Sequence, residues 1–220
     1  MAALIVVAVL VIDQLIKLWV KTSMSLSESI RITDWFYINF IENNGMAYGM
    51  QIGSKLALSL FRVAAICVLT VYIWRLSHRA QARWGYIVCL SMVLAGAAGN
   101  LIDCMFYGLC FDASTFSHVS EYVGWGNGYA PFLMGKVVDM FYFPLIETTY
   151  PDWFPFWGGE RFVFFSPVFN FADANISVGV VALLLFYRKE VSDLSGKKEV
   201  EAAHQEETAS DKAEEVTSDK

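Results

Sequence analysis

The sequence lacks the short motifs that identify many soluble enzymes and metal proteins. It contains no HExxH, no P-loop and no GxGxxG, so neither zinc peptidases nor nucleotide-binding enzymes are indicated. The four cysteines form no CxxC pair, and the three histidines do not cluster with them. No basic stripe suggests nucleic acid, and the net charge is −6. We therefore expect no metal, no cofactor and no nucleic-acid partner.

Charge is also scarce, and apolar residues are abundant. Charged residues make up 17% of the chain and hydrophobic residues 56%, whereas ordinary soluble domains contain about 45–50% apolar residues. The excess lies in four runs, each close to the ~20 residues that a helix needs to cross the hydrocarbon layer. We predict a mainly α-helical membrane protein with four transmembrane helices. They cover about residues 1–20, 56–74, 84–102 and 171–187.

The first of these runs also lacks the features of a cleaved signal peptide. No Lys or Arg precedes its apolar stretch, and its end, LWVKTSM, has no A-x-A-like cleavage site. We expect this run to be retained as the first transmembrane helix.

The distribution of Lys and Arg between the loops predicts the orientation of the helices. Cytoplasmic loops carry an excess of these residues, and here they gather between the second and third runs and after the fourth. We therefore expect both termini in the cytoplasm and the long loops 21–55 and 103–170 outside it. The basic residues concerned are Arg75, Arg79, Arg83, Arg188 and Lys189.

The end of the chain differs in composition from the rest. After Lys189 it is rich in Glu, Lys, Ala, Ser and Asp and has no aromatic residue. Such a segment cannot bury enough apolar surface to fold alone. We predict one membrane domain, residues 1–189, followed by a disordered cytoplasmic tail, residues 190–220.

The two outer loops carry strand patterns. Residues 30–50 alternate β-branched and aromatic residues up to Asn43-Asn44-Gly45, which is typical of a small sheet with a turn at that point. Residues 137–143 and 161–169 are further candidate strands. We expect a small extracytoplasmic sheet or cradle beside a longer loop region. Its aromatic residues suit either an interfacial belt or a lid over a substrate, and both interpretations remain open. They include Trp125, Trp153, Phe154, Phe156 and Trp157.

Polar residues recur at one predicted depth, near the outer ends of the helices. Each has an ordinary explanation, such as a helix cap or an ion pair between Asp13 and Lys17. Because a charge at the bilayer centre costs roughly 2.5–3.5 kcal/mol on insertion scales, the group as a whole indicates function. The group contains Asp13, Asn43, Asn100, Asp103, Asp139 and Asp173.

The available chemistry narrows to paired carboxylates. His118 is the only histidine expected on the outer side, and it has no Ser nucleophile motif as a partner. Two carboxylates that share a site retain one proton between them, so one can act as base and the other as acid. This predicts aspartic peptidase chemistry. Two alternatives remain: a proton- or ion-coupled transport component, and a scaffold in which the acids only cap helices.

Five short motifs span nearly the whole membrane part of the chain. They are Asp13-Gln14 with Lys17, Asn43-x-Gly45-x-Ala47, GAAGNLID at 96–103, VVDMF at 137–141 and FNFADANI at 169–176. Each motif alone is modest, but in this order and spacing the set resembles the bacterial lipoprotein signal peptidases (signal peptidase II), a family of four-pass inner-membrane aspartic peptidases.

The resemblance implies that Asp139 and Asp173 are the catalytic pair, on the periplasmic side of the bacterial inner membrane. It also implies prolipoprotein substrates with a diacylglyceryl-modified cysteine, cleaved on the N-terminal side of that cysteine, a membrane-lipid environment, and inhibition by globomycin. Supporting or substrate-binding positions implied by the motifs are Asp13, Asn43, Gly45, Asn100, Asp103, Asn170 and Ala172.

The sequence departs from the family pattern after NLID, where arginine is usual and Cys104 stands here. Arg62, Lys136 or Arg161 could supply the missing cation, and the sequence does not choose among them. It leaves open whether Cys104 pairs with Cys110. It also leaves open the oligomeric state, although four short helices can pack as a monomer.

Overall fold

A computed structural model describes residues 1–44, 55–79 and 83–192 of the chain. In this part, three helices are long and apolar enough to cross a membrane, and a fourth is apolar but shorter. Their bounds follow the predicted runs closely, although the first two extend about one turn further. The main helices are α1 (Ala2–Ser23), α2 (Lys55–Ser77), α3 (Trp84–Ile102) and α5 (Phe171–Phe186).

The helix α3 does not stop at the predicted end of its run. It continues through a π-helical turn, Asp103–Tyr107, into a short helical turn, α4 (Gly108–Cys110). Single π turns inside helices are rare and are frequently found at functional sites. This turn keeps Asp103 buried at the end of the long helix rather than at its exposed surface.

Small residues on α3 allow two neighbours to approach it closely. A Cβ atom added at Gly96 would lie 2.3 Å from the carbonyl oxygen of Ala172, and one at Gly99 would lie 2.6 Å from Oδ2 of Asp13. Ser91 and Ala95 on the same helix are buried. Gly96 and Gly99 therefore permit close packing between the helices.

Three strands form an antiparallel sheet in the order β1-β2-β3. The turn between β1 and β2 contains hydrogen bonds from Ile32 N and Thr33 N to Phe36 O, both 3.0 Å. The connection between β1 and β2 thus lies before Tyr37, and β2 ends at Asn43. Gly45 lies outside the described residues, so the expected turn at Asn43-Asn44-Gly45 stays a prediction. The strands are β1 (Ser29–Arg31), β2 (Tyr37–Asn43) and β3 (Val137–Tyr142).

A bulge in β2 determines which side chains face the same way as Asp139. Ile38 pairs with Phe141, but Ile41 pairs with Asp139, so β2 has one extra residue between the two pairs. Side chains alternate between the faces of a strand, and an extra residue reverses that alternation. The bulge thus places Asn43, and not Glu42, on the face of the sheet that carries Asp139.

The opposite face of the sheet packs on the ends of the helices. Phe40, Val138 and Met140 are fully buried there against Val20 and Met24 near the end of α1. This apolar contact holds β3, and therefore Asp139, against the first helix.

Beyond β3 lies a separate two-stranded hairpin, β4 (Ile146–Thr149) and β5 (Arg161–Phe164). The predicted strand 161–169 ends at Phe164, because Phe165 adopts a positive φ of 64° and Pro167 follows. Phe169 forms only an isolated bridge with Phe141. The segment between Asp139 and Asp173 is thus built around this hairpin.

The chain divides into two compact units, residues 1–179 and 180–220. The boundary falls inside α5. In the second unit, helical hydrogen bonds run from Tyr187 N to Leu183 O and from Val191 N to Tyr187 O. Residues 193–220, most of the predicted tail, lie outside the described part, so its disorder stays a prediction.

Candidate active site

The structure brings Asp139 and Asp173 to one asparagine. Nδ2 of Asn170 donates to Oδ1 of Asp139 at 2.6 Å, while Oδ1 of Asn170 accepts from the backbone N–H of Asp173 at 2.9 Å. The N–H of Asn170 also donates to Oδ2 of Asp173 at 3.4 Å. These last two bonds form a reciprocal cap at the start of α5. Asn170 therefore ties a helix terminus to the middle of β3.

The two carboxylates have different surroundings. Asp139 is 3% exposed, whereas Asp173 is half-buried. Burial, and then the negative charge of Asp173, raise the pKa of Asp139 to about 7, although amide hydrogen bonds from Asn43 (3.1 Å) and Asn170 oppose the shift. A carboxyl group in this setting retains its proton near neutral pH, as one member of an acid–base pair must.

Behind the pair lies a fully buried ion cluster on α1 and α3. Nζ of Lys17 is 3.0 Å from Oδ2 of Asp13 and 2.8 Å from Oδ2 of Asp103, and all three side chains are inaccessible to solvent. The third donor of the ammonium reaches Oδ1 of Asn100 at 2.8 Å. An ammonium group has three donors, and each finds an acceptor here. Lys17, expected only to balance Asp13, is therefore the centre of the cluster.

The ion cluster sets the orientation of Asn100 and, through it, the position of Asp173. Oδ1 of Asn100 accepts hydrogen bonds from Lys17 and from Nδ2 of Asn170 (3.1 Å). Its Nδ2 must therefore point the other way, where it donates to Oδ1 of Asp173 at 2.7 Å. A buried lysine thus acts on the half-exposed carboxylate through one asparagine.

Asp103 connects the same cluster to β3. Its Oδ2 accepts from the N–H of Val138 at 3.3 Å, the residue immediately before Asp139. Its Oδ1 accepts from Nε2 of Gln14 at 3.0 Å, and the hydroxyl of Tyr107 donates to Oε1 of Gln14 at 3.2 Å. The π turn therefore places Asp103 where it can hold β3, the strand that carries Asp139.

Asp13 performs the corresponding task for α5. Its Oδ1 accepts from the N–H of Ala172 at 2.9 Å. Ala172 is fully buried, and a Cβ atom added at Gly99 would lie 3.4 Å from its Cβ atom. Among the described residues, every site residue expected from the sequence joins one hydrogen-bonded network; Gly45 lies outside the described part of the chain. In the described part of the chain, no buried side-chain nitrogen or oxygen lacks a partner. The roles assigned to these residues remain predictions.

Sequence reasoning missed a second buried charge cluster on the other face of the sheet. Both oxygens of Glu42 are engaged, by Lys21 Nζ and by Lys136 Nζ, each at 2.8 Å. Lys21 also reaches Oγ of Ser114 at 3.1 Å and lies 5.2 Å from the ring centroid of Tyr129. Burial acts to raise the pKa of Glu42, but the two lysines prevail and hold it below its usual value. Lys21 follows Lys17 by one helical turn, which was the available signal.

The structure distinguishes the three cations that could replace the usual arginine. Lys136 pairs with Glu42, and Arg161 lies in the outer hairpin with Nη2 2.6 Å from Oε2 of Glu147. Arg62 alone of the three contacts Cys104, with Nη1 3.3 Å from Sγ. All four cysteines of the chain are free thiols, so Cys104 and Cys110 do not pair.

The family described as "Signal peptidase (SPase) II" matches residues 5–188. A lipoprotein signal peptidase of Porphyromonas gingivalis is 49% identical over 197 residues, covering 89% of this chain and 87% of the relative. One from Amoebophilus asiaticus is 34% identical, covering 82% of this chain and 75% of the relative.

The fold has solved counterparts as well. A structure described as a bacterial membrane enzyme matches with a TM-score of 0.57 and 25% identity, covering 87% of this chain and 90% of the other. Together with the apolar helices, this makes the chain a multi-pass membrane protein. The family match spans nearly the whole of the part that holds the two carboxylates and the network behind them, and the chain therefore belongs to the signal peptidase II family.

Proposed function

We propose that this chain is an aspartic endopeptidase that removes the signal peptide from diacylglyceryl-modified prolipoproteins, with Asp139 and Asp173 as its catalytic pair. The single observation that supports the pair most strongly is Asn170, which hydrogen-bonds both residues. Membership of the signal peptidase II family supports the reaction and the substrate class.

The unequal burial of the two carboxylates favours a division of labour. Asp173, half-buried and reached by the amide of Asn100, acts as the base and takes a proton from the attacking water. Asp139, buried and carrying a proton, donates a hydrogen bond to the carbonyl oxygen as negative charge develops there. Collapse of the tetrahedral intermediate breaks the C–N bond, and the leaving amine of the cysteine takes a proton from the pair.

The site suits a substrate held partly in lipid. Asp173 lies in the first turn of an apolar helix, and Asp139 lies on a strand tied to the ends of α1 and α3. A cleavage site at this depth meets a peptide whose diacylglyceryl chains remain in the bilayer. We assign the cut to the N-terminal side of the lipidated cysteine and expect globomycin to compete for the same site.

We further propose four passes through a bacterial inner membrane, with both termini cytoplasmic and the pair on the periplasmic side. The arginines between α2 and α3 support this orientation. The alternative function, proton- or ion-coupled transport, is not supported, because the chain belongs to a peptidase family. In addition, the polar network gathers at one end of the helices, whereas a relay needs polar groups across the membrane.

Asp139→Asn and Asp173→Asn variants test the proposal directly. Each should lower the cleavage rate of a diacylglyceryl-modified precursor, measured by gel shift, at least about 100-fold, because an amide can neither accept nor donate the required proton. Asp34→Asn is the matched control, since Asp34 is an exposed aspartate in the β1–β2 turn paired with Arg31.

The control should cleave at the wild-type rate, and globomycin should stop both it and the wild type. Substantial cleavage by Asp139→Asn, with the protein correctly inserted in the membrane, would contradict the assignment. Cleavage of a precursor that lacks the diacylglyceryl group at an equal rate would contradict the substrate class.

A further inference from the structure

The hairpin between the two aspartates has little protein around it. Its strands β4 and β5 pair only with each other in the described part of the chain, and every residue of β4 is exposed. A two-stranded hairpin without further packing is marginally stable in water. Its end is nevertheless well formed, with hydrogen bonds from Tyr150 N to Glu160 O at 2.9 Å and from Gly159 N to Tyr150 O at 3.0 Å.

Large aromatic residues are exposed at the end of this hairpin. Phe156 is 93% exposed, Trp153 79% and Trp157 52%. We call residues 153–157, WFPFW, the aromatic tip; it contains no charge. Each such side chain buries about 150–250 Å² when it is covered. An exposed tip therefore lacks the large stabilising free energy that burial of this apolar surface would provide. Large exposed apolar patches mark surfaces that another phase or molecule covers.

The backbone at the tip is strained in a way that points to the ring of Phe156. This residue has a φ of 73°, in the left-handed region. That conformation is unfavourable for a bulky residue, and Gly or Asn is its usual occupant. Retaining phenylalanine there is explicable if the exposed ring itself makes a favourable contact.

The five residues of the aromatic tip carry no charge, although two exposed acids, Asp152 and Glu160, flank it in the loop between β4 and β5. Arg161 and Glu147 form an ion pair across the two strands, with Nη2 and Oε2 2.6 Å apart and both side chains well exposed. An uncharged aromatic segment flanked by charged residues suits the boundary between water and lipid, where Trp and other aromatic side chains concentrate.

An aromatic row connects the hairpin with the membrane-proximal part of the molecule. Phe165, which follows β5, contacts Phe169 at a centroid distance of 6.0 Å. Phe169 stacks on Phe143 at 5.7 Å, and Phe143 stacks on Phe36 at 4.7 Å. Phe169 immediately precedes Asn170 and the apolar helix α5. The hairpin is thus joined by short segments to a helix terminus that must lie at the membrane boundary.

We propose that the aromatic tip inserts into the phospholipid headgroup layer on the side of the membrane where Asp139 and Asp173 lie. This surface contact goes beyond the proposed catalytic function and does not depend on it. It requires only that the chain spans a membrane. Insertion would cover the tip and stabilise a hairpin that has few contacts of its own.

Tryptophan quenching in vesicles tests the proposal. The full chain is placed in phosphatidylcholine–phosphatidylglycerol vesicles, and its fluorescence is compared with that of Trp153→Phe/Trp157→Phe, which retains the aromatic character of the tip. The difference between the two signals reports the tip alone. We expect brominated phosphatidylcholine to remove most of this difference signal and aqueous iodide to leave it nearly unchanged. The reverse pattern would overturn the proposal.

A charged substitution provides the matched comparison. Phe156→Asp should expel the tip from the lipid. The tip signal of this variant is again the difference from the same protein with Trp153→Phe/Trp157→Phe. We expect iodide to quench this difference signal and brominated lipid to leave it unchanged. Phe116→Asp alters another highly exposed phenylalanine, 77% exposed but outside the hairpin, and should leave the quenching as in the wild type. Equal quenching in both variants would overturn the proposal. So would lipid quenching that appears only with added precursor, as for a lid, or only at high protein density, as for a contact between copies.

Discussion

At the scale of single residues, Asp139 is the group whose environment matters most. Its carboxyl group is buried on a strand, receives two amide hydrogen bonds and lies in the field of Asp173. Burial and the charge of Asp173 raise the pKa of Asp139 to about 7 although the amide hydrogen bonds oppose the shift, and this value is close to the pH at which a pair with one shared proton is needed. The environment of this one residue therefore predicts the pH dependence of both activity and stability.

The cleavage rate should fall as the pH rises through about 7, because Asp139 then loses the proton that the reaction requires. Stability should change in the same direction. Because the pKa of Asp139 is higher in the folded protein than in the unfolded chain, its protonated carboxyl group favours the folded state. This contribution to the free energy of unfolding is fully present below pH 3.8, the unfolded value, and is lost as the pH rises through about 7. Cleavage is measured on vesicles across pH, and melting temperature in detergent.

The matched variant for the stability measurement is Asp139→Asn, which does not titrate. The difference between its melting temperature and that of the wild type should shift in favour of the variant, to higher values, as the pH rises. A flat cleavage profile between about pH 6 and pH 9 would contradict the assigned protonation.

Arg62 is the second residue that permits a sharp prediction. Its guanidinium contacts Cys104, the position at which the family resemblance led us to expect arginine. If its guanidinium serves the substrate, Arg62→Gln should lower kcat/KM by about 10-fold or more. Arg75→Gln, near the other end of α2, should not. The double variant Arg62→Leu/Cys104→Arg moves the cation to the usual position and should restore much of the rate. If the double variant inserts and folds but does not regain activity, Arg62 does not take over the role of an arginine at position 104.

At the scale of elements, the close approach of α3 to the start of α5 positions Asp173. Neither Gly96 nor Gly99 can carry a Cβ atom without displacing Ala172 or Asp13, and Asp13 holds the N–H of Ala172. Hence the orientation of α5, and with it the position of the Asp173 carboxylate, depends on two glycines in a different helix. The bulge in β2 likewise positions a site residue from a different element, because it determines that Asn43, and not Glu42, lies on the same face as Asp139.

Gly96→Ala should therefore destabilise the protein, although alanine is the better helix former by about 1 kcal/mol. The added Cβ atom would lie 2.3 Å from a backbone oxygen that cannot rotate away. We expect a cost of about 1–3 kcal/mol from overpacking and a parallel loss of cleavage. Gly85→Ala, in the first turn of the same helix, is the control and should be neutral or slightly stabilising. A rise in melting temperature for Gly96→Ala would contradict the packing.

At the scale of the whole molecule, two buried charge clusters connect the long helices with one another and with the three-stranded sheet. Lys17 joins α1 to the end of α3, and Lys21 joins α1 to β2 through Glu42. Removing one member of such a buried pair typically costs about 3–5 kcal/mol, so these contacts strongly restrict how the sheet packs on the helices. The site thus depends on α1 as much as on the segments that carry the aspartates.

The proposed topology makes its own prediction. A green fluorescent protein fused after Lys220 should fluoresce in cells, and an alkaline phosphatase fused there should be inactive, because both termini are expected in the cytoplasm. A phosphatase inserted in the loop between β1 and β2 should be active. An active phosphatase at the C-terminus would refute the four-pass orientation.

Much of the architecture could be predicted from the sequence because it depends on local properties. Apolar runs of membrane length located the helices to within about one turn, since the hydrophobic thickness imposes that length. The matching depths of Asp13, Asn100, Asp103 and Asp173 followed from run boundaries and helical rise alone. The short connection between β1 and β2 was not predicted, because residues 32–36 lack the Asn-Gly or Asp-Gly pair typical of a two-residue hairpin turn.

By itself, the sequence determined the membrane class, the helices, the resemblance to a peptidase family and the two candidate carboxylates, all of which depend on hydropathy, order and spacing. Only the tertiary structure decided that Lys17 orients Asn100, that a bulge selects Asn43, and that Arg62 reaches Cys104. The physical reason is that these contacts join residues far apart in the chain. Their geometry is set by close packing in three dimensions, which the local propensities of the residues do not determine.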